Sequence, residues 1–450
     1  MPALPTSVPV AVVGAGTMGA GIAEVAAVAG HPVLLCDAQP GAAQGALERI
    51  DASLARAADK GRLRCEEIRS TRARIRPCHG LDALTSAQLV IEAIAEDLAA
   101  KQSLFEALEV LVSPDVVLAS NTSSLSITAL GGRLKRPGRL VGMHFFNPAP
   151  SMALVEVVRG LATAPEVVET VIATASAWGK TAVEVRSSPG FIVNRIARSF
   201  YGEALRALAE GAADVTTIDA LMREAGGFKM GPFELIDLIG LDVNLAVGRA
   251  LHAAFQGDAR YAPSLIQEEM VAAGRLGRKT RRGFYDYGPD AVRPSPRIAR
   301  PAPAPKPIVV QGDLGVAEPL LARLKKAGIE AQRRSGEGVL RAGDLRIALT
   351  DGRCATEWSH MLDAPVVLFD LALDFSTCRC LALAPADQSA EADRAKACGL
   401  FQAAGIQVTM LDDLPGLLVM RTVCMLANEA AEAVHTGVAS AEAIERAMQL

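Results

Sequence analysis

Short apolar runs alternate with longer stretches of helical periodicity through the first 186 residues of this 450-residue chain. The runs are rich in β-branched residues, as is typical of buried parallel strands, and the stretches between them repeat their apolar residues every three or four positions, as helices do. We therefore expect an α/β domain with crossover helices over 1–186. The predicted strands are 8–13, 33–36, 89–93, 116–119, 140–144, 154–158 and 182–185.

Beyond residue 186 the pattern changes twice. From 187 to about 288 the strand pattern disappears and helical periodicity takes over, which predicts an all-helical domain. Residues 289–307 carry alternating prolines, and this composition predicts an extended linker without a core of its own.

The first predicted turn carries a glycine-rich loop. Gly14, Gly16 and Gly19 separate the first strand from an Ala-rich helix, and the second strand ends in Asp37. Such glycines allow a tight turn, close approach of a pyrophosphate and close helix packing, while the acidic residue binds ribose hydroxyls and repels a 2′-phosphate. The pattern predicts a Rossmann-like domain that binds NAD rather than NADP.

A histidine and a glutamate in apolar strands form the candidate catalytic pair. His144 ends one predicted strand and Glu156 lies inside the next. A buried carboxylate needs a partner, and a carboxylate on one imidazole nitrogen makes the other nitrogen a better base. We expect His144 to accept a proton from a substrate hydroxyl while a nicotinamide accepts the hydride.

Taken together, these motifs resemble the 3-hydroxyacyl-CoA dehydrogenase family, over about residues 7–288. The matching segments include 91–96 (IEAIAE), 121–124 (NTSS), 144–148 (HFFNP), 189–195 (PGFIVNR) and 274–280 (GRLGRKT). The resemblance implies oxidation of (S)-3-hydroxyacyl-CoA to 3-oxoacyl-CoA with NAD. It also implies fatty acid oxidation or aromatic (phenylacetate) catabolism as the setting. Exposed apolar faces on the predicted helices of 187–288 make a homodimer the expected assembly.

The resemblance assigns roles position by position. His144 is the general base, Glu156 orients it, and Ser123 and Asn194 hydrogen-bond the reacting oxygen or the nicotinamide ring. The remaining assignments are glycine-loop positions Gly14, Gly16, Thr17, Met18 and Gly19, ribose or nicotinamide contacts Asp37, Glu96, Lys101, Asn147 and Lys279, and coenzyme A contacts Ser53 and Lys60.

Simpler interpretations remain for several of these residues. His144 could be a core histidine bound to backbone, and Glu156 could face water on an edge strand. The 121–124 segment could be only a turn and helix cap, Asn194 an amide bound to backbone, and Asp37 a cap for the turn that follows it. Lys60 lies in a charged helical stretch whose usual environment is solvent.

The last third of the chain is a degenerate repeat of the first part. Residues 415–421 (PGLLVMR) match 189–195 at a shift of 226 (415 − 189) without gaps. At this shift His144 falls on Asp370, Glu156 on Ala382 and Asn194 on Met420, so the catalytic residues are lost. We predict a noncatalytic Rossmann-like domain over 308–412 and a partial helical domain over 413–450.

Composition limits the remaining function classes. The net charge of −4 argues against nucleic acid as a partner, and eight cysteines without a CxxC motif predict reduced core residues and no metal site. No leader sequence or long apolar run is visible, so we expect a soluble cytoplasmic protein.

Two other functions stay open: a noncatalytic NAD- or acyl-CoA-binding scaffold and a different NAD-dependent hydroxyacid dehydrogenase. The length of the acyl chain is also open. A carboxylate at the end of that chain would need a basic partner, for which Arg195, Arg198 and Lys229 are candidates as well as ordinary solvated charges.

Overall fold

The computed structural model describes residues 1–450. The chain forms two compact units, one of residues 1–195 together with 430–450 and the other of residues 196–429. No helix is both long enough and apolar enough to cross a membrane.

The first unit is built on an eight-stranded sheet of order β3-β2-β1-β4-β5-β6-β7-β8. Every neighbouring pair is parallel except β6 and β7, which run antiparallel. The first four strands are β1 (Val10–Val13), β2 (Val33–Cys36), β3 (Ile75–Cys78) and β4 (Leu89–Glu92). The other four are β5 (Val117–Ser120), β6 (Leu140–Phe145), β7 (Leu154–Arg159) and β8 (Thr181–Arg186). The α/β prediction is confirmed, although β3 was not predicted.

Helices cover this sheet because its strands are apolar on both faces. Buried aliphatic side chains of β1, β2, β4, β6 and β7 pack with those of the flanking helices into one core. The helices are α1 (Thr17–Val28), α2 (Ala42–Asp59), α3 (Cys65–Arg74), α4 (Leu98–Leu111), α5 (Ile127–Gly131), α6 (Pro165–Ala177) and α7 (Val193–Ile196). The C-terminal helix α17 (Ala441–Gln449) lies beside β8, where Arg186 N donates to Val438 O over 2.7 Å.

The second unit contains a helical part and a second sheet. The helices are α8 (Arg198–Ala209), α9 (Val215–Glu224), α10 (Pro232–Ile239), α11 (Leu241–Ala254) and α12 (Leu265–Ala272). The seven-stranded sheet has the order β10-β9-β11-β12-β13-β14-β15. Its strands are β9 (Ile308–Gln311), β10 (Ala331–Arg334), β11 (Val339–Ala342), β12 (Leu345–Leu349), β13 (Val366–Phe369), β14 (Cys380–Pro385) and β15 (Gln407–Met410). Helices α13 (Pro319–Lys326), α14 (Ala355–Leu362), α15 (Glu391–Ala403) and α16 (Val419–His435) complete the chain, and the last residues of α16 belong to the first unit.

The structure confirms the repeat. Strand β14 matches β7 at the shift of 226 (380 − 154), and β13, β14 and β15 pair in the same directions as β6, β7 and β8. Phe191 and Leu417, which correspond at this shift, both have left-handed backbone angles, φ 51° and 49°. Because so unusual a conformation recurs at the same place, the two halves share one strand-to-helix connection.

A carboxylate holds this connection in the second half as well. Asp370, at the position of His144, accepts hydrogen bonds from the amides of Leu418, Val419 and Met420 at 2.7 to 3.0 Å. In the second half, a carboxylate at the position of the histidine therefore holds the helix start, while Ala382 stands at the position of Glu156.

The proline-rich segment 289–307 has no regular secondary structure and lies within the second unit. It packs along β15 and α15, since Ala299 N donates to Val408 O and Ala302 N donates to Gln402 Oε1. The segment is extended, as its prolines require, and its backbone is fixed by these contacts.

Candidate functional site

The glycine loop has the form that a bound dinucleotide requires. Gly14 has a φ of +103°, and a Cβ there would lie 2.4 Å from Ala93 O. A Cβ on Gly19 would lie 1.7 Å from Gly14 O, so only glycine lets α1 approach β1 this closely. A Cβ on Gly16 would meet nothing within 4 Å, which leaves open space in front of this residue. The loop is thus closed towards the sheet and open at the N-terminus of α1, where a pyrophosphate would bind.

The carboxylate at the end of β2 faces the same loop. Asp37 Oδ2 accepts from Ala15 N over 2.6 Å, and Oδ1 accepts from Gln39 N over 2.8 Å. Asp37 therefore also caps the following turn, as the simpler interpretation proposed. Thr17 is exposed and Met18 is half-buried at the start of α1. The residues present fit NAD, because the carboxylate stands beside the loop where the ribose hydroxyls of a dinucleotide would lie.

His144 and Glu156 form a buried hydrogen-bonded pair. They are directly opposite each other in the antiparallel register of β6 and β7, and His144 Nδ1 lies 2.6 Å from Glu156 Oε2. The histidine is 5% exposed and the glutamate 0% exposed, so neither the backbone-bound histidine nor the solvent-facing carboxylate is observed. No protein group hydrogen-bonds Nε2 of His144. A carboxylate on Nδ1 favours the tautomer in which Nε2 is free to accept a proton.

The second oxygen of Glu156 fixes the start of the helix that carries Asn194. Glu156 Oε1 accepts hydrogen bonds from the amides of Ile192 and Val193 over 2.9 and 3.0 Å. The buried carboxylate is thus satisfied by the imidazole on one oxygen and by two backbone donors on the other. This arrangement ties β7, β6 and α7 to one another at the candidate base.

Ser123 and Asn194 lie together near this pair. Asn194 Nδ2 donates to Ser123 O over 3.4 Å, and the Ser123 hydroxyl donates to Glu96 Oε1 over 3.4 Å. The amide of Asn194 is therefore bound to backbone, although by a long hydrogen bond. Both residues are half-buried.

Glu96 organises the loop that follows β5. Its Oε1 accepts from the Thr122 hydroxyl over 2.6 Å and from the Ser124 hydroxyl over 2.9 Å, and its Oε2 lies 3.0 Å from Lys101 Nζ. Burial raises the pKa of Glu96, but the ammonium of Lys101 and these hydroxyls outweigh burial and hold that pKa below its ordinary value. Glu96 is therefore ionised at neutral pH and fixes the backbone of the 121–124 loop.

Lys101 is buried between two carboxylates. It is 1% exposed, and its Nζ lies 2.7 Å from Glu92 Oε1 as well as 3.0 Å from Glu96 Oε2. Its observed contacts thus hold the loop together, and its contact with the cofactor stays a prediction.

The remaining predicted residues are spread over both units. In the first unit, Asn147 and Lys60 are exposed, and Ser53 on α2 donates to Glu24 Oε1 over 3.0 Å. The exposed position of Lys60 matches the solvated helix face that was its simpler interpretation. In the second unit, Lys279 Nζ pairs with Asp242 Oδ2 over 2.6 Å.

Two residues of the site were missed from the sequence. Glu92 is 0% exposed at the end of β4 and accepts from the Ser120 hydroxyl over 2.6 Å. It was marked by the same signal as Glu156, a carboxylate in an apolar run. Asn121 Oδ1 accepts from Phe145 N over 2.9 Å and so fixes the end of the strand that carries His144. No feature of sequence spacing indicated this contact.

Comparison with protein families identifies three matching segments. Residues 9–188 match the NAD binding domain of 3-hydroxyacyl-CoA dehydrogenase, and residues 190–287 match the C-terminal domain of the same enzyme. Residues 347–415 match the reduced Rossmann-fold domain of 3-hydroxybutyryl-CoA dehydrogenase.

Similar proteins cover both the whole chain and its first part. A 3-hydroxyadipyl-CoA dehydrogenase of Escherichia coli is 42% identical over 98% of this chain and 87% of its own length. A probable 3-hydroxybutyryl-CoA dehydrogenase of Bacillus subtilis is 46% identical over 61% of this chain and 96% of its own length. A crystal structure of 3-hydroxybutyryl-CoA dehydrogenase from Escherichia coli superposes with a TM-score of 0.89 at 41% identity, covering 99% of this chain and 89% of that one.

Proposed function

Because this chain belongs to the 3-hydroxyacyl-CoA dehydrogenase family, an NAD-dependent group of oxidoreductases, we propose that it oxidises (S)-3-hydroxyacyl-CoA to 3-oxoacyl-CoA with His144 as general base. The observation that carries this proposal is the 2.6 Å contact between His144 Nδ1 and Glu156 Oε2, with His144 Nε2 left free. Oxidation of a secondary alcohol removes a proton from oxygen and a hydride from carbon, and the imidazole serves the first of these tasks.

The carboxylate makes the imidazole an effective base. Glu156 accepts a hydrogen bond from Nδ1–H and so favours the tautomer in which Nε2 carries no proton. It also stabilises the imidazolium that forms once Nε2 has taken the hydroxyl proton of the substrate. A positioned general base of this kind contributes roughly 10²- to 10⁴-fold. In the reverse direction the same imidazolium returns the proton to the alcohol oxygen.

The protein binds and orients the cofactor through the glycine loop and Asp37. Bound NAD supplies the hydride acceptor. The open space at Gly16 admits the pyrophosphate, and Asp37 hydrogen-bonds the ribose. Glu96, Lys101, Asn147 and Lys279 are proposed to line the ribose and nicotinamide.

Polar side chains around the base are proposed to position the substrate. The Ser123 hydroxyl and the Asn194 amide stabilise the charge that develops on the reacting oxygen, which requires Asn194 Nδ2 to exchange its 3.4 Å bond to Ser123 O for one to the substrate. Ser53 and Lys60 are proposed to contact coenzyme A.

The relatives suggest two acyl groups. They are named for 3-hydroxyadipyl-CoA and 3-hydroxybutyryl-CoA, and we propose these thioesters as substrates, in fatty acid oxidation or in aromatic (phenylacetate) catabolism. We further propose a homodimer that works in the cytoplasm.

Steady-state NADH formation with 3-hydroxybutyryl-CoA and 3-hydroxyadipyl-CoA tests the reaction. A His144→Ala variant should lose most of its kcat and still bind NAD, because His144 lies outside the glycine loop. Retained activity in this variant would exclude the base assignment. Failure of the unmodified protein to oxidise either thioester, with NAD binding intact, would instead support the noncatalytic scaffold.

A further inference from the structure

Two cysteines lie side by side at the edge of the first sheet. Cys36 is the last residue of β2, and Cys78 is the last residue of the edge strand β3. The two residues are direct partners in the parallel register of these strands, so their side chains leave the sheet on the same face. Both are free thiols, Cys36 being 3% exposed and Cys78 half-buried. The pair is thus a buried thiol beside a more accessible one.

Each thiol reaches across to the other strand. Cys78 Sγ lies 3.6 Å from Leu35 O, and Cys36 Sγ lies 3.5 Å from Gly80 O. The hydrogen bond between the two thiols lowers the pKa of Cys36 to about 7, against the effect of burial, and the same contact raises the pKa of Cys78. A large fraction of Cys36 is therefore thiolate at neutral pH, and the thiolate is the form that reacts with oxidants.

The spacing of the strands suits a disulfide. Neighbouring strands lie about 4.7–4.9 Å apart, and the Cα atoms of a disulfide are usually about 4.4–6.8 Å apart, so the bond can form without separating β2 from β3. The Cβ atoms of a disulfide are closer, at about 3.5–4.5 Å. Bond formation should therefore draw the end of β2 towards β3.

The end of β2 also supports the glycine loop. Cys36 O accepts from Gly14 N over 2.8 Å, and the next residue, Asp37, accepts from Ala15 N over 2.6 Å. Strand β2 lies between β3 and β1 in the sheet, so a movement of its end towards β3 is a movement away from β1 and its loop. Both hydrogen bonds to the loop would lengthen.

We propose that Cys36 and Cys78 form a dithiol site that peroxides oxidise to a disulfide, and that this disulfide weakens the binding of NAD. The Cys36 thiolate attacks one oxygen of the peroxide, so that an S–O bond forms, the O–O bond breaks and the other oxygen leaves as hydroxide, which becomes water. Cys78 Sγ then attacks Cys36 Sγ, the S–S bond forms, and the S–O bond breaks. The departing hydroxide takes the Cys78 proton as a second water. The two sulfurs lose two electrons, and hydrogen peroxide gains them. A dithiol reductant reverses the change by exchange.

Peptide mapping tests the site directly. The full-length protein is treated with a small excess of hydrogen peroxide, its remaining thiols are alkylated, and it is digested without reductant. Trypsin cuts after lysine and arginine but not before proline, so Cys36 is the only cysteine of peptide 1–49 and Cys78 the only one of peptide 75–101. These two peptides should be joined after oxidation and separate again with dithiothreitol. Cys65→Ser is the matched control, because Cys65 is an exposed cysteine of the same unit, and the link should form in this variant as before.

Calorimetric titration with NAD tests the effect on the cofactor. Oxidation should raise the Kd of the unmodified protein roughly 2- to 12-fold, which is the range for loss of one hydrogen bond, and dithiothreitol should restore it. The increase should persist in Cys65→Ser and disappear in Cys78→Ser. Reversal by dithiothreitol separates the disulfide from oxidation of Met18, since methionine sulfoxide needs a dedicated reductase.

Oxidised protein in which peptides 1–49 and 75–101 stay separate overturns the dithiol site, and this result does not require any variant to fold. A link that forms but changes the Kd less than about 2-fold overturns the effect on NAD binding. The same increase of Kd in Cys78→Ser overturns it too, because another oxidised group would then be responsible. Neither measurement depends on turnover of a thioester, so both are independent of the proposed function.

Discussion

Replacing Glu156 by glutamine should place a proton on the wrong nitrogen of His144. The glutamate uses Oε1 for the amides of Ile192 and Val193 and Oε2 for His144 Nδ1. A glutamine has one oxygen and one NH₂ group and must choose between these partners. If its oxygen stays on the two amides, its NH₂ group faces Nδ1, which must then act as acceptor. The ring proton moves to Nε2, the atom proposed to take the substrate proton.

The structure indicates which orientation prevails. The opposite orientation would place the NH₂ group against two buried backbone N–H donors, and an unsatisfied buried donor costs about 1–3 kcal/mol. Two such donors disfavour it by about 2–6 kcal/mol, or at least roughly 30-fold. Nearly all molecules should therefore hold the unreactive tautomer. The equivalent change of carboxylate to amide in a Ser-His-Asp triad lowers kcat by roughly 10⁴, and we expect a loss of about 10³- to 10⁴-fold here.

The assay is initial-rate NADH formation at saturating NAD and thioester, with NADH binding measured separately by fluorescence. Glu184→Gln is the matched control: it makes the same substitution on the adjacent strand β8, where the side chain is half exposed and pairs with Arg159 over 3.1 Å. The control should keep its rate within about 2-fold because exposed pairs contribute little. If Glu156→Gln keeps more than about a tenth of the wild-type kcat, the tautomer argument is refuted.

The other predictions concern the cofactor site and stability. Gly16→Ala should fold normally but weaken NAD binding about 10-fold or more, because the added methyl group would occupy the open space proposed for the pyrophosphate. Gly19→Ala should instead lower Tm by about 4 °C or more, because the Cβ of residue 19 would lie 1.7 Å from a backbone oxygen. Equal Tm values for the two variants would contradict this prediction. Asp37→Ser should reduce the preference of kcat/KM for NAD over NADP, because the carboxylate no longer repels the 2′-phosphate. An unmodified protein that uses both cofactors equally would disprove this prediction. Burial raises the pKa of Asp219 to about 6, so the folded protein binds a proton at this carboxyl more tightly than the unfolded chain does. The resulting contribution to the free energy of unfolding is therefore present at low pH and is lost as the pH rises through about 6. The free energies of unfolding at pH 4 and pH 7 should differ by a contribution of about 2 kcal/mol that Asp219→Asn lacks.

Most of the fold could be predicted from local patterns in the sequence. The glycine loop, the acidic end of β2 and the alternation of strands and helices are features of consecutive residues, so their structure follows from backbone sterics and burial. The repeat was visible for the same reason, because the two matching segments keep their spacing without gaps. Strand β3 was missed because its sequence, IRPC, contains one arginine and one proline in four residues and lacks an apolar run.

The sequence by itself determined which groups are present, namely a histidine and a glutamate in apolar strands. Because a buried polar or charged group needs a hydrogen-bond partner, the sequence also determined that each of them must have one. The tertiary structure decided which partner each group has. The antiparallel register of β6 and β7 places His144 opposite Glu156, and the fold encloses Lys101 between Glu92 and Glu96. It also left Arg198 buried without a carboxylate. Burial, register and distance are properties of residues far apart in the chain, and the energy of a charge depends on all three.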